Sequence, residues 1–159
     1  MTVEDLWILP LEGERKPTVF LDTPDVEHQS QFSPNGSWLA YVSTEPGRYE
    51  VFIQAFPHGG KWQISTDDGQ QPKWRGDGKE LFYIAGNQEF KSVDLNATSS
   101  SLDVGTTHSL FETSLPVGGR NWYAVSPDGQ RFLVRVPAEG GDSGTLIVTL
   151  NWPATAPKR

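Results

Sequence analysis

The sequence predicts an all-β protein built from repeated four-stranded antiparallel units. Its 159 residues include 16 Gly and 12 Pro, and 11% of them are aromatic, a composition typical of short strands joined by tight turns. One turn motif occurs three times, and an apolar strand pattern follows each copy. No helical periodicity extends beyond two turns. Together these observations favour a repeat protein over a single irregular sheet.

The repeated turn is a five-residue segment that ends in glycine. Asn or Asp at its fourth position tolerates the turn conformation, the glycine supplies a left-handed one, and Pro fixes φ in two of the copies. The three glycines are 42 and then 51 residues apart. The copies are Phe32-Ser-Pro-Asn-Gly36, Trp74-Arg-Gly-Asp-Gly78 and Val125-Ser-Pro-Asp-Gly129.

An apolar strand follows each glycine and is predicted to be buried on both faces. Residues 38–42, 80–84 and 131–135 carry apolar side chains at odd and even positions, whereas an antiparallel strand with one solvated face would alternate. Sheets covered on both faces must stack between neighbouring sheets. A third strand is predicted at 49–56, 90–95 and 145–152, and a fourth at 62–65 and 108–111.

Four strands in a unit of roughly 40 to 45 residues are the signature of a β-propeller blade. Residues 5–11 and 18–21 look like the third and fourth strands of an earlier blade, and the copy after residue 121 lacks a fourth strand. We therefore predict a partial propeller of about three to four four-stranded blades. The predicted boundaries are 1–22 for a partial blade of two strands, 23–66 for a blade, 67–114 for a blade with a loop insertion, 115–152 for a blade of three strands and 153–159 for a tail.

Two finer expectations concern the insertion and the tryptophans. The polar segment 96–107 is expected to be a loop between the third and fourth strands of its blade, because loops tolerate insertions. Five tryptophans lie in predicted strands or at their ends, where large aromatic side chains fill the space between stacked sheets. We expect them in the core and not on a carbohydrate-binding surface. They are Trp7, Trp38, Trp62, Trp74 and Trp122.

Composition and charge exclude several classes of function. A chain with a formal net charge of -7 is not expected to bind nucleic acid, which requires clustered Lys and Arg. The chain has no Cys, so a disulfide, a thiolate nucleophile or a Cys-ligated metal is impossible. Its acidic start lacks the features of a signal peptide, and no apolar run approaches the length of a membrane span. We therefore expect no membrane insertion, no metal and no cofactor, and the compartment stays open.

Short motifs that resemble catalytic ones are better explained as turns. The segment 141–144, Gly-Asp-Ser-Gly, matches the surroundings of a protease nucleophile, but no histidine has a matching context. The tripeptide 75–77, Arg-Gly-Asp, occupies the hairpin position of the repeated turn. The motifs of a kinase site are absent from the sequence. The sequence therefore predicts a protein that is not an enzyme.

One segment resembles the TolB-like, WD-repeat-like β-propeller repeats of bacteria. Residues 69–83, Gly-Gln-Gln-Pro-Lys-Trp-Arg-Gly-Asp-Gly-Lys-Glu-Leu-Phe-Tyr, are similar to the blade pattern of that family, and weaker copies lie at 28–41 and 121–134. Gly76 and Arg135 depart from the pattern, and Arg135 indicates that the last blade is exposed on one side. The chain looks most like the C-terminal propeller region of bacterial serine/threonine kinases or other signalling proteins.

The resemblance implies a binding platform and no particular reaction, because one fold supports many functions. We expect a non-catalytic binding, interaction or sensor module in a larger bacterial signalling protein. One alternative is a propeller that gates a separate prolyl-oligopeptidase-like hydrolase domain, and another is a self-sufficient propeller hydrolase or lectin. Incomplete blades expose sheet edges, so we expect either a homo-oligomer that completes the ring or a longer chain from which this sequence is taken.

The candidate ligand site lies on the loops at one face of the predicted propeller. These loops carry nearly all of the net negative charge, which favours a cationic protein or peptide partner, or a divalent cation held by carboxylates. A solubilising acidic surface would explain the same charges. The candidate ligand-binding residues are Asp25, Glu27, His28, Asp67, Asp68 and Arg120.

Overall fold

The computed structural model describes residues 4–98, 101–115, 122–135 and 147–150. This part of the chain has thirteen β-strands and no helix, which confirms the all-β prediction. It therefore contains no helix that is long and apolar enough to cross a membrane. The strands are β1 (Leu6–Ile8), β2 (Thr18–Leu21), β3 (Glu27–Phe32), β4 (Trp38–Ser43), β5 (Glu50–Ala55), β6 (Lys61–Gln63), β7 (Gln70–Trp74), β8 (Glu80–Ile84), β9 (Glu89–Ala97), β10 (Leu102–Glu112), β11 (Tyr123–Val125), β12 (Arg131–Val134) and β13 (Ile147–Leu150).

The strands form four antiparallel sheets in chain order. β1 pairs with β2, and β11, β12 and β13 form a three-stranded sheet. Between them lie two four-stranded sheets, β3 to β6 and β7 to β10. Within each sheet a strand pairs with the one that precedes it in the chain, so each sheet is a meander. The predicted unit of four antiparallel strands is confirmed.

The repeated turn has the same hydrogen bonds in all three copies. Its glycine has φ values of +70°, +72° and +71°, in the left-handed region that side-chain-bearing residues seldom adopt. The preceding Asn or Asp side chain accepts a hydrogen bond at 3.0 Å from the backbone N–H two residues further on. This local geometry joins the first strand of each sheet to its second. The acceptors are Asn35, Asp77 and Asp128.

The sheets stack face to face, and β8 is buried on both sides. Leu81 and Tyr83 belong to the core shared with the β3 to β6 sheet, where Trp38 lies. Phe82 points the opposite way and meets Phe132 of β12, with ring centroids 5.1 Å apart. Neighbouring side chains of β8 thus enter different cores, as its two-sided apolar pattern predicts. Burial of apolar surface at these two interfaces holds the stack together.

Most of the described residues of the segment 96–107 lie in strands, so the prediction of a loop was wrong. β9 and β10 continue through it and pair as a hairpin. The hairpin packs back on the preceding sheet, because Leu102 is buried in the first core and Trp38 Nε1 donates to the Thr98 carbonyl oxygen at 2.7 Å. Its polar composition is compatible with a strand because β10 is the outermost strand of its sheet and most of its side chains are exposed to solvent.

Four of the five tryptophans pack as predicted, and Trp7 does not. Trp38 and Trp74 are buried, Trp62 packs against the first core, and Trp122 packs against the second. The side chain of Trp7 is 58% exposed. It lies on the outer face of the β1–β2 sheet, which no sheet of the described residues covers. The expectation of a core position was therefore wrong for this residue.

Candidate functional site

A cleft of about 530 Å³ opens where the start of β1 meets β3 and β7. Its lining is mostly polar and combines carboxylates, amides, an imidazole and an amine. A cavity of this volume and chemistry suits a small polar group or the side chain of a partner. The lining residues are Glu4, Asp5, Leu6, Glu27, His28, Gln29, Ser30, Gln71 and Lys73.

Two glutamines at equivalent repeat positions shape the wall of the cleft. Gln29 and Gln71 have φ values of 54° and 58°, and the pairing of each first strand shifts register at this point. Gln29 Oε1 accepts a hydrogen bond from the Gln71 backbone N–H at 2.7 Å, and Gln71 Oε1 accepts one from the Trp122 N–H at 2.8 Å. The bulges therefore turn amide side chains toward the next sheet, and each amide fixes the position of the following first strand.

Glu27 is the most deeply buried acidic group of the cleft, with 3% of its surface exposed. Its Oε1 accepts hydrogen bonds from Thr23 Oγ1 at 2.6 Å and from Ser43 Oγ at 3.3 Å. Its Oε2 is buried and has no hydrogen-bond partner among the described residues. A buried carboxylate oxygen that lacks a partner is costly, so the cleft would gain stability from a cation.

Two further polar atoms in the wall share this property. Asp5 Oδ1 and Gln71 Nε2 are buried and have no hydrogen-bond partner among the described residues. A backbone hydrogen bond holds Glu27 beside the residue that precedes Asp5, because the Glu27 N–H donates to the Glu4 carbonyl oxygen at 2.7 Å. The cleft therefore offers two acceptors and one donor that a ligand could satisfy.

His28 and Lys73 are the two basic side chains of the cleft. His28 stacks on Tyr49 with ring centroids 5.3 Å apart, and its Nδ1 lies 3.6 Å from Glu4 Oε2. Burial lowers the pKa of Lys73, because the ammonium form loses hydration. Against these two groups stand the carboxylates of Glu4, Asp5 and Glu27, so the cleft is acidic overall.

The structure brings together two of the six predicted site residues, Glu27 and His28. Asp25 lies in the bend just before β3, where its backbone N–H donates to Thr23 Oγ1 at 3.2 Å. Arg120 lies outside the described residues.

Asp67 and Asp68 lie at a different place, in the connection from β6 to β7. Asp67 Oδ2 accepts a hydrogen bond from Lys91 Nζ at 2.5 Å, and its carbonyl oxygen accepts one from the Gly86 N–H. Asp68 has a φ of 59°, and its N–H donates to Glu50 Oε1 at 3.3 Å. These contacts join neighbouring sheets, and neither residue lines the cleft.

Glu50 is a buried acidic group that the sequence did not single out. It is fully buried, and Arg48 Nε and the backbone N–H groups of Asp68 and Gly69 donate to its oxygens. Ser65 Oγ donates to it as well. Because these bonds satisfy both oxygens, Glu50 holds the β6–β7 connection in place and is not available to a ligand.

The predicted acidic face is less uniform than the loop sequences indicate. Lys61 Nζ pairs with Glu45, and Lys91 Nζ pairs with Asp67. Both lysines lie on strands, and their long side chains reach the loop carboxylates. Among the described residues no group of three or more His, Cys, Asp or Glu side chains could hold a metal ion.

Four-stranded antiparallel meanders that stack face to face along the chain are the blades of a β-propeller. Oligogalacturonate lyase from Vibrio parahaemolyticus has a similar structure, with a TM-score of 0.55 and 13% identity over 84% of this chain and 36% of that one. A candidate TolB from Agrobacterium tumefaciens matches with a TM-score of 0.53 and 15% identity, over 74% of this chain and 40% of that one. The Swd1 (Cps50) β-propeller domain of Myceliophteria thermophila matches with a TM-score of 0.52 and 13% identity, over 78% of this chain and 43% of that one. No protein-family model matches the sequence.

These similarities confirm the β-propeller fold and, at the level of fold, the resemblance to TolB-like and WD-repeat-like propellers. The chain spans less than half the length of these structures, so it forms part of a propeller. At identities of 13% to 15% the likeness carries no activity from those proteins to this one.

Proposed function

We propose that the chain is a non-catalytic binding module whose cleft receives a cationic group of a protein or peptide partner. The observation that carries this proposal is Glu27, which is almost completely buried in the cleft wall and leaves Oε2 without a hydrogen-bond partner among the described residues. A positive group in the cleft would compensate that carboxylate and the neighbouring one of Asp5.

The expected affinity gain is substantial for a single group. Hydrogen bonds to charged groups contribute about 1.5 to 3 kcal/mol each, more than neutral ones, because donor and acceptor attract as whole charges. A guanidinium or ammonium group supplies several donors in one place, and Gln71 Nε2 can donate to an adjacent carbonyl oxygen of the ligand. A basic peptide fits this combination, whereas an anion would meet three carboxylates.

The setting of the module is part of the proposal. We place it in a larger bacterial signalling protein, the context that the sequence resemblance indicates. A kinase or receptor domain in the same reading frame would support this setting, and a Gly-x-Ser-x-Gly hydrolase domain there would contradict it.

The binding proposal is tested with a fluorescently labelled Arg-rich peptide and fluorescence anisotropy. Glu27→Gln keeps an oxygen for Thr23 and Ser43 but removes the charge, so we expect binding to weaken about tenfold or more. Asp103→Asn removes an exposed carboxylate of β10 that is far along the chain from the cleft residues, and it serves as the matched control. We expect the control to bind as the parent does.

Two results would overturn the proposal. One is equal peptide affinity of the parent protein and Glu27→Gln, provided that thermal melts show both to be folded. The other is turnover of ester, peptide or glycoside substrates by the purified chain that Glu27→Gln or Asp5→Asn abolishes, because the cleft would then be catalytic.

A further inference from the structure

The sheet at the start of the stack has an apolar outer face. Trp7 of β1 and Val19 of β2 are cross-strand partners and so lie on the same face, with 58% and 46% of their surfaces exposed. Leu9, two residues after Trp7, is also 58% exposed. Phe20 points the other way and meets Phe56 of the next sheet at 5.6 Å between ring centroids. The β1–β2 sheet is therefore packed on one side only.

The sheet at the other end of the stack also has one open face, where alternation along β12 places Arg131 beside Leu133. Leu133 of β12 is 47% exposed, and its cross-strand partner Ala124 of β11 is exposed beside it. Phe132 points the opposite way and is buried against Phe82 and Phe90. This sheet is thus covered on the side of the preceding sheet, and its second side carries exposed apolar groups.

The two open faces are complementary in direction. Each sheet has a preceding face, which points to the sheet before it in the chain, and a following face, which points to the sheet after it. At each interface within the chain, the following face of one sheet packs on the preceding face of the next. The β1–β2 sheet leaves a preceding face open, and the β11–β13 sheet leaves a following face open. Docking one on the other would repeat the kind of interface that the chain already makes between its own sheets. Trp7 and Val19 would lie on one side and Leu133 on the other.

We propose that a second copy of the chain covers these faces. The β11–β13 sheet of each copy packs on the β1–β2 sheet of the other, so that two copies close a propeller ring. A head-to-tail interface is satisfied throughout only when the ring closes. The chain spans 36% to 43% of the propeller structures that it matches, so two copies approach the size of one complete propeller. This inference does not depend on the function proposed for the cleft.

The experiment is sedimentation velocity of the 159-residue chain at about 100 μM, where an interface of micromolar strength is saturated. We expect the parent to be a dimer. Trp7→Lys and Leu133→Lys each place a charge in one of the two faces, so each variant alone is expected to be a monomer. Val104→Lys changes a valine on β10 that is 40% exposed and lies outside both faces, and it is expected to remain a dimer.

An equimolar mixture of Trp7→Lys and Leu133→Lys distinguishes this geometry from any symmetric one. The mixture retains one intact pair of faces, the β1–β2 face of one variant and the β11–β13 face of the other, so we expect dimers that neither variant forms alone. A monomeric parent would overturn the proposal. So would a dimeric Leu133→Lys variant, which would indicate docking through the β1–β2 face alone, or a mixture that stays monomeric.

Discussion

Gln29 Oε1 accepts a hydrogen bond at 2.7 Å from the backbone N–H of Gln71, which lies 42 residues further along the chain. Gln71 in turn accepts one from the Trp122 N–H at 2.8 Å. The same amide at the same strand bulge therefore joins three successive first strands. Because the bulge interrupts the pairing within each sheet, the backbone N–H that it frees is satisfied by the preceding sheet instead.

Removing this amide is expected to destabilise the stack. Gln29→Ala leaves the N–H of Gln71 without its acceptor, and Gln71 is only 2% exposed, so we expect a loss of about 1 to 3 kcal/mol in the free energy of unfolding. Urea unfolding followed by tryptophan fluorescence measures the change. Ser30→Ala alters an exposed neighbour and should stay within about 0.5 kcal/mol of the parent. Equal stabilities of Gln29→Ala and Ser30→Ala would contradict the argument.

Lys73 is expected to oppose the binding of a cation in the cleft. Lys73→Met keeps most of the side-chain volume but removes the positive charge, so the affinity for an Arg-rich peptide should rise about two- to fivefold. In the parent the affinity should also rise with pH, because the lowered pKa of Lys73 brings its deprotonation below the usual range while Arg stays charged. Anisotropy titrations between neutral and alkaline pH check both points. A rise of the same size in Lys73→Met would show that another group titrates.

The strand order and the two-sided core could be predicted from the sequence because both depend on short-range patterns. The turn at 125–129 needs only its own Asp and Gly, and the apolar residues on both faces of β8 are visible in five consecutive residues. The extension of β9 and β10 into the segment 96–107 was missed because polar residues rarely indicate a strand, and the end of this hairpin is held by the indole of Trp38 from another sheet. The exposure of Trp7 was missed because β1 is apolar at odd and even positions, as the buried strands are, although Trp7 is 58% exposed.

The candidate site could be predicted only in part, because most of its residues come from different sheets. Glu27 and His28 are consecutive residues, so any site that contains one is placed near the other. Asp5, Gln71 and Lys73 come from other sheets, and only the equivalence of Gln29 and Gln71 within the repeat could have indicated one of them. The ion pair of Asp67 depends on Lys91, which lies on a strand, so the charges of the loops alone did not indicate it.

Gly76 lies in the repeated turn, where a larger side chain would meet the neighbouring turn. Its N–H donates to the Pro127 carbonyl oxygen at 2.9 Å, and a Cβ on residue 76 would lie 2.8 Å from that oxygen. Gly76→Ala is therefore expected to cost about 1 to 3 kcal/mol by pushing apart two adjacent turns. A Cβ on residue 78 would make only an ordinary contact with Pro34 Cδ at 3.7 Å, but the φ of Gly78 is +72°, so Gly78→Ala should cost about 1 to 2 kcal/mol through local strain alone. Chemical unfolding that finds Gly76→Ala as stable as the parent would exclude this contact.

The Arg75–Asp77 pair predicts a defined acid response. Arg75 Nε and Nη2 donate to the Asp77 carboxylate at 2.7 and 2.9 Å, and these hydrogen bonds lower the pKa of Asp77. A lowered pKa in the folded state contributes stability above the ordinary Asp value of about 3.9, and that contribution is lost as the pH falls through the lower folded value. Asp77→Asn should retain the turn, because Asn35 makes the same bond to Ser37 in the first copy.

We therefore expect Asp77→Asn to be less stable than the parent at neutral pH by no more than about 1 kcal/mol, since 48% of the Asp77 side chain is exposed and solvent screens the pair. The difference should shrink as the pH falls below about 4 and vanish once Asp77 is protonated in both states. Thermal melts of the two proteins from neutral pH to about pH 2 measure this. Asp103→Asn, which removes a carboxylate without an arginine partner among the described residues, provides the comparison. A difference between Asp77→Asn and the parent that stays constant with pH would mean that the amide perturbs the turn itself and that the ion pair contributes nothing.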